Sequence, residues 1–303
     1  MRVTPIVFSA SLLLGAGCDF QFNLAVNSTA EVLKRGSKSL DREPDVQLAH
    51  DALPATIKTI DTFSTAAPEQ PVLLELTAKA YAQYAFAFLE DDLEELPPGD
   101  SPARKNLVDR ATGLYDRAFD IGLRMAELDR KGIRDAIKKD IPSLEAELKK
   151  LGPDAGVGLF WAGLSMASAI NLHRDDTDRL ADLPKAILLL TRAHELVPEY
   201  ADHGAALGLG ASYSGVAKAV GGDPEKSKAM FEECVKANDG KYLMAKVFYA
   251  RFYAVINQDR PLFDRLLKEV LDTPANVYPD QRLANELAHR RAARYQRQAE
   301  DLF

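Results

Sequence analysis

The chain has 303 residues, 47% of them hydrophobic and 27% charged, with a formal net charge of −7. That length and apolar content suffice for a sizeable core in one extended domain, while the acidic balance excludes the basic face that nucleic-acid binding requires. Only two cysteines occur, Cys18 and Cys234, which excludes a disulfide scaffold as the basis of the fold.

Met1 to Val3 form a short n-region carrying the charge of Arg2, Ile6 to Leu14 form a mainly apolar h-region, and Gly15-Ala16-Gly17-Cys18 follows. This pattern predicts a secretory signal over residues 1–17, too short to span a bilayer stably. The small residues ending at Cys18 resemble a bacterial lipobox, in which the cysteine is acylated and becomes the first mature residue. Gly15 departs from that pattern, since leucine is usual there and Leu14 sits one place early; ordinary signal-peptidase cleavage is the alternative. Acyl chains would anchor the protein, each buried CH₂ contributing about 0.8 kcal/mol. The expected location is the bacterial periplasm, tethered to the inner or outer membrane. With Cys18 acylated, Cys234 has no partner and reads as a small core residue on the apolar side of its helix.

Residues 18–27 read as a tether and 28–303 as a single domain. Thr29 to Leu40 and Val46 to Phe63 carry apolar residues at three- and four-residue steps, which predicts a first helical pair. Pro68 and Pro71 then precede a long helix from Val72 to about Leu93, with Leu73, Leu76, Ala80, Tyr84 and Phe88 on its buried face. Its acidic end, Glu90, Asp91, Asp92, Glu94 and Glu95, lacks the spacing and glycine of an EF-hand and reads as solvated. Pro97-Pro98-Gly99-Asp100 breaks the chain. The next helix starts at Ser101 and Pro102 and extends through Leu123. An amphipathic stretch from Ile133 to Leu151 follows, with a boundary expected at Asp140-Ile141-Pro142. Gly156 to Leu172, which holds the only tryptophan, Trp161, is the most apolar helix. No run shows sustained strand alternation, so the expected class is all-α.

The last third has a recurring design. Pro184, Pro224 and Pro261 each open a helix, where proline's missing N–H is no loss and its φ is already helical. A spacing of roughly 34–45 residues with two helices per unit is the signature of a TPR-like helical-hairpin solenoid, whose units bury a core only by stacking. The irregular starts predict a bent superhelical array. Gly221-Gly222-Asp223-Pro224 reads as a glycine turn, an Asp N-cap and a first-turn proline. Gly208-Leu209-Gly210 lacks the third glycine and the strand of a dinucleotide loop and reads as a packing feature, with Gly204, Gly208 and Gly215 permitting close helix approach. Asp202 reads as an N-cap. His173-Arg174-Asp175-Asp176 has no metal-binding spacing, and the final helix, with His289, Arg290, Arg291, Arg294 and Arg297, reads as a solvated face or a contact for an acidic partner.

Four blocks carry a family resemblance. They are Tyr81-Ala82-Gln83-Tyr84-Ala85-Phe86-Ala87-Phe88-Leu89-Glu90; Phe160-Trp161-Ala162-Gly163-Leu164 through Ile170-Asn171-Leu172; Pro198-Glu199-Tyr200-Ala201-Asp202-His203-Gly204-Ala205 through Ser227; and Tyr242 to Val247 through Tyr249-Ala250-Arg251-Phe252-Tyr253 to Ala288. Over nearly the whole mature chain the sequence resembles the T component of tripartite ATP-independent periplasmic (TRAP) transporter systems. The stretch Ser214 to Val220 departs from it by lacking an expected proline. The resemblance implies a periplasmic lipoprotein with cryptic TPR-like repeats, able to form a homotrimer with an internal chamber or pore. It also implies a solute-binding P protein as partner, an apolar or organic-acid ligand shared with it, and no cofactor.

Stacked hairpins make a concave surface on which aromatic residues and a few polar groups can hold a ligand away from water. The candidates for ligand or partner contact are Tyr81, Tyr84, Phe88, Trp161, Asn171, His203, Tyr242, Arg251, Tyr253 and Asn285, each weighed against core packing. Arg251 stands out, because a charge within the apolar run from Val247 to Ile256 must be paired or reach solvent. It either clasps a ligand carboxylate or pairs with Asp202 or Glu286. His203 beside Asp202 has no serine or cysteine nucleophile at family spacing, and a non-enzymatic transport accessory is the expectation. A TPR-type envelope scaffold that holds no small molecule is the alternative.

Overall fold

A computed structural model of the chain describes the backbone of residues 12–303 and the side chains from Gln21 onward. Residues 1–11 and the Cys18 side chain lie outside the described residues, and with them the expected cleavage and acylation. Within the described residues the chain is all-α.

The first helix, α1 (Leu12–Asp41), begins earlier than expected and takes in residues 19–27, read above as a tether. α2 (Val46–Ala66) starts where Asp45 caps it, its carboxylate accepting from the amides of Gln47 and Leu48, and it buries Ala49, Leu53, Ile57 and Ile60 on one stripe. α3 (Pro71–Tyr84) does not run on evenly to Leu93: Ala85–Leu89 form a π-helical turn before α4 (Glu90–Glu95). α5 (Pro102–Ala126) begins at the expected Ser101 cap. The stretch from Ile133 divides into α6 (Ile133–Ala136) and α7 (Ile141–Leu148), and the break falls at Asp140, whose carboxylate accepts from the Ser143 amide at 2.8 Å.

α8 (Gly156–Asn171) is buried on nearly every side, as its composition predicts. It approaches α5 so closely that a Cβ on Gly122 would lie 2.6 Å from the Ala162 amide nitrogen, and one on Gly158 would lie 2.5 Å from that of Ala126. Only glycine fits both positions. α9 (Thr177–Leu180) is a single turn, and α10 (Leu183–Leu196), α12 (Pro224–Ala237) and α14 (Arg260–Asp272) carry the expected prolines in their first turns. Asp223 and Asp259 cap the latter two, and Gly221, at φ +98°, makes the turn before Asp223. α11 (Tyr200–Tyr213) lies between α10 and α12; Gly204 meets the Phe160 ring there and Gly210 the Phe231 ring, as a packing role requires. Gly215, by contrast, lies in the turn beyond α11 at φ +69°. α13 (Leu243–Phe248) continues into a second π-helical turn, Tyr249–Ala254, and α15 (Arg282–Arg297) and α16 (Ala299–Leu302) end the chain. Cys234 is fully buried in the core.

Successive long helices pack on one another in chain order, α2 on α3, α3 on α5, α5 on α8, α8 on α10, α10 on α11 and α11 on α12. The last long helix then returns to the first ones. Arg294 binds Asp91 and Glu94 of α4 through Nη1, at 2.8 and 2.6 Å, and Glu95 through Nη2 at 2.6 Å. Arg291 reaches Asp91 at 3.3 Å and Arg290 lies 3.0 Å from it, while the Tyr295 hydroxyl donates to Glu94 at 2.8 Å. This corrects two expectations. Asp91 in the acidic run is buried rather than solvated, although Glu95 stays exposed, and Arg290, Arg291 and Arg294 of the final helix meet an acidic partner within the same chain. Asp91, Arg291 and Arg294 can leave water at the centre of this cluster because each arginine finds its counter-charge in the aspartate, and the aspartate in both.

Candidate functional site

Closing the array leaves a hollow made of two adjoining chambers. An aromatic chamber of about 310 Å³ is lined by Phe88, Tyr115, Phe160, Trp161, Tyr200 and Tyr242. A second, of about 290 Å³, is lined by Asn171, Arg174, Arg251, Phe252, Arg291 and Tyr295; we call it the arginine chamber. Both are near the lower end of the ~300–1,000 Å³ range of small-molecule sites. Phe86, Leu164, Ser168, Gly208 and Phe248 line both and so form the partition between them.

The partition is built from the two irregular turns. Phe86 lies in the first π-helical turn and Phe248 immediately precedes the second, and their ring centroids are 5.4 Å apart. Both rings are only partly buried and face one gap, each set within or directly before a widened turn of its helix. The Arg291 guanidinium lies 4.1 Å over the Phe86 ring and donates to the Phe86 carbonyl at 2.6 Å. Opposite, Gly208 supplies bare backbone, where a Cβ would sit 3.3 Å from Leu190.

The wall of the aromatic chamber carries a polar relay. Trp161 Nε1 donates to the Tyr200 oxygen at 2.9 Å, and the Tyr200 hydroxyl donates to Glu75 at 2.8 Å. Burial, aided by the Glu75 charge, holds the Tyr200 phenol well above its ordinary range, so it acts as a neutral donor. Lys79 pairs with Asp41 at 2.8 Å nearby.

Ala201, Asp202 and His203 form a left-handed turn, with φ of 52°, 54° and 62°. Each residue in that region costs about 1–2 kcal/mol, and the turn persists because Asp202 is held from several sides. Its carboxylate accepts from the Tyr278 hydroxyl at 2.6 Å and from the Gln281 amide. Its carbonyl accepts from Asn238 Nδ2 at 3.0 Å, with the Cys234 thiol at 3.6 Å. Asp202 is therefore a latch between α11 and the segment before α15 rather than a helix cap, and Ala201 and Asp202 stand on the wall of the aromatic chamber.

Of the residues singled out from sequence, Phe88, Trp161 and Tyr242 line the aromatic chamber and Asn171 and Arg251 the arginine chamber. The others line neither. Tyr81 is buried with the Arg117 guanidinium 5.6 Å from its ring, and Tyr84 packs between His50 and Phe88. Tyr253 lies tilted against Tyr249, and His203 keeps a buried Nδ1 without a partner. Asn285, fully buried, accepts from the Leu243 amide at 2.9 Å and donates to the carbonyls of Lys241 and Ala275. Its place is that of a backbone clamp. Arg251 pairs with neither Asp202 nor Glu286, the latter accepting from Arg282 at 2.7 Å; its guanidinium lies 5.8 Å from the Tyr295 ring.

Sequence reasoning missed Phe86, Phe248, Tyr200, Glu75 and Arg174. Phe86, Tyr200 and Phe248 sit within or beside the resemblance blocks, where the aromatic density was a signal, but nothing in the spacing marks a π turn. Arg174 was weighed only for metal chemistry. Glu90, on the wall of the arginine chamber, takes a hydrogen bond from Tyr115, and burial pushes its carboxyl up to about 7 against the opposing pull of Arg291.

The family model described as TRAP transporter T-component matches residues 42–303. A Treponema pallidum (strain Nichols) protein described as uncharacterized is 25% identical over 319 residues, covering 100% of this chain and 98% of the relative.

Proposed function

The chain belongs to the TRAP transporter T-component family, an accessory of that transport system, and from this premise we propose that it binds the solute-binding P protein and holds the transported ligand between capture and delivery. The observation that supports the reading is the pair of chambers meeting at Phe86 and Phe248. A scaffold that only joined proteins would have no need of a hollow walled by Trp161, Tyr200 and Tyr242. The ligand class is apolar or an organic acid, since aromatic walls favour desolvated carbon while a few fixed polar groups set orientation. No covalent chemistry is assigned: the protein would bind and release.

We further propose that acylation of Cys18 holds the protein at the periplasmic face of a membrane, and that it assembles as a homotrimer. Native mass spectrometry of the purified protein, alone and mixed with a TRAP solute-binding P protein of the same organism, tests the reading. A complex with that protein and a retained small molecule is expected. Absence of both would reject the transport role, while a complex carrying no small molecule would favour the scaffold.

A further inference from the structure

The arginine chamber contains three arginines and two glutamates whose charges do not all cancel locally. Arg291 is engaged by Asp91 and the Phe86 carbonyl. Glu94 is engaged by Arg294 and Tyr295, and Glu90 by Tyr115. Arg174 and Arg251 remain, and neither forms an ion pair with a carboxylate among the described residues. Arg174 is an exposed residue on the chamber wall, but its head is held in place: Asn171 Oδ1 accepts from its Nε at 2.7 Å, and the missing side chain of Gly215 leaves room for its Nη1. Partial withdrawal of its guanidinium from water and the charge of Arg251 both weaken its hold on the proton. Arg251 is half-buried against Tyr295. Two like charges facing one concavity without a counter-charge repel each other, and an anion between them would replace that repulsion with attraction.

We propose that Arg174 and Arg251 form a head-group subsite that grips the carboxylate of an amphipathic acid, whose apolar chain passes Phe86 and Phe248 into the aromatic chamber. The inference rests on reading the chambers as a ligand site and adds the ligand's charge and its direction. Guanidinium groups suit a carboxylate because two N–H donors meet two oxygens in one plane. A phosphate dianion fits less well, since Glu94 and Glu90 stand on the same wall. A neutral alcohol would leave both arginines uncompensated. The far chamber offers the tail rings and no unpaired arginine.

The chain holds a single tryptophan, and it lies on the wall of the aromatic chamber, so its fluorescence reports where the tail goes. The delipidated full-length protein is titrated with decanoate, decan-1-ol and decyl phosphate, following Trp161 emission. Decanoate is expected to bind at least tenfold more tightly than decanol and more tightly than decyl phosphate. In the variant carrying Arg174→Met and Arg251→Met that preference should disappear while decanol binding is unchanged, and Arg251→Lys alone should retain part of it. Equal binding of decanoate and decanol to the native protein would overturn the head-group subsite and leave the chambers as an apolar site. Tighter binding of decyl phosphate would overturn the carboxylate assignment. A Trp161 signal unmoved by all three would overturn both the subsite and the ligand-holding role. Unchanged thermal unfolding of the methionine variant shows that it folds; if it does not, the Arg251→Lys comparison carries the test.

Discussion

Asp91 and Arg294 stand 203 residues apart in the chain, yet Nη1 of the arginine donates to Oδ1 of the aspartate at 2.8 Å, with 1% and 3% of the two side chains exposed. The contact joins the end of the early π-bearing helix to the final long helix and so closes the wall of the chambers. Asp91→Asn leaves Arg294 and Arg291 short of a counter-charge in a dry place, and the expected loss is roughly 3–5 kcal/mol. In a double-mutant cycle with Arg294→Gln, the two losses should add to more than that of the pair, because both remove the same interaction. Denaturant unfolding measures this. A loss below about 1 kcal/mol for either single change, typical of an exposed pair, would contradict the burial.

Glu90 makes stability depend on pH in a defined direction. Its folded value of about 7 lies above the ordinary 4.5, so the folded state holds a proton that the unfolded chain gives up. The stabilisation is fully present below about pH 4.5 and is lost as pH rises through 7, amounting to about 3 kcal/mol as an upper bound. Glu90→Gln keeps a neutral side chain throughout. Urea midpoints at pH 5 and pH 8 should therefore show the variant equal to the native protein at the lower pH and more stable at the higher.

The α5–α8 seam tolerates no side chain at two positions. Gly158→Ala places its Cβ against backbone atoms of Ala126 and Gly122, which cannot move aside as a flexible side chain would. The cost should reach the upper end of the roughly 1–3 kcal/mol of overpacking, read as a fall in melting temperature. Gly113, on the facing helix α5 with open space around it, is the control: alanine there should stabilise by up to about 1 kcal/mol.

The left-handed turn predicts a stabilising change of unusual kind. Ala201 is exposed, at φ 52°, so glycine there loses no buried contact and removes the clash of its Cβ. Ala201→Gly should raise stability by about 1 kcal/mol, which a small rise in melting temperature would show. A fall instead would mean that the turn is not left-handed in solution.

The two thiols of the sequence should behave oppositely. Burial pushes the Cys234 thiol up to about 12, and in the folded protein it should not react with maleimide at pH 8, becoming reactive only in denaturant. Cys18→Ser should free the protein from membranes, as fractionation would show; continued need for detergent would count against an acyl anchor.

What was legible in the sequence was local. The first-turn prolines at 184, 224 and 261, the helix boundary at Asp140 and the Asp223 cap all act within about three residues, so their grammar needs no knowledge of the rest of the fold. The family resemblance was legible as a pattern over most of the chain, and the family match confirms it. Asp91 and Arg294 were not legible as partners, because a charged residue near a helix end looks the same in sequence whether water or a distant helix compensates it. The partition was hidden for another reason: Phe86 and Phe248 have ordinary helical spacing, and nothing in that spacing marks the π turns within which and before which they lie. Asp202 carried the signal of a cap, and only the distant Tyr278 and Gln281 reveal it as a latch.

The bond across 203 residues also dictates an order of events during assembly. However the chain is delivered, amino end first, the ring of helices stays unsealed until its last long segment arrives, and until then the aromatic lining faces whatever surrounds it. A nascent copy halted short of residue 294 would lack this contact and leave the chamber wall unsealed on that side.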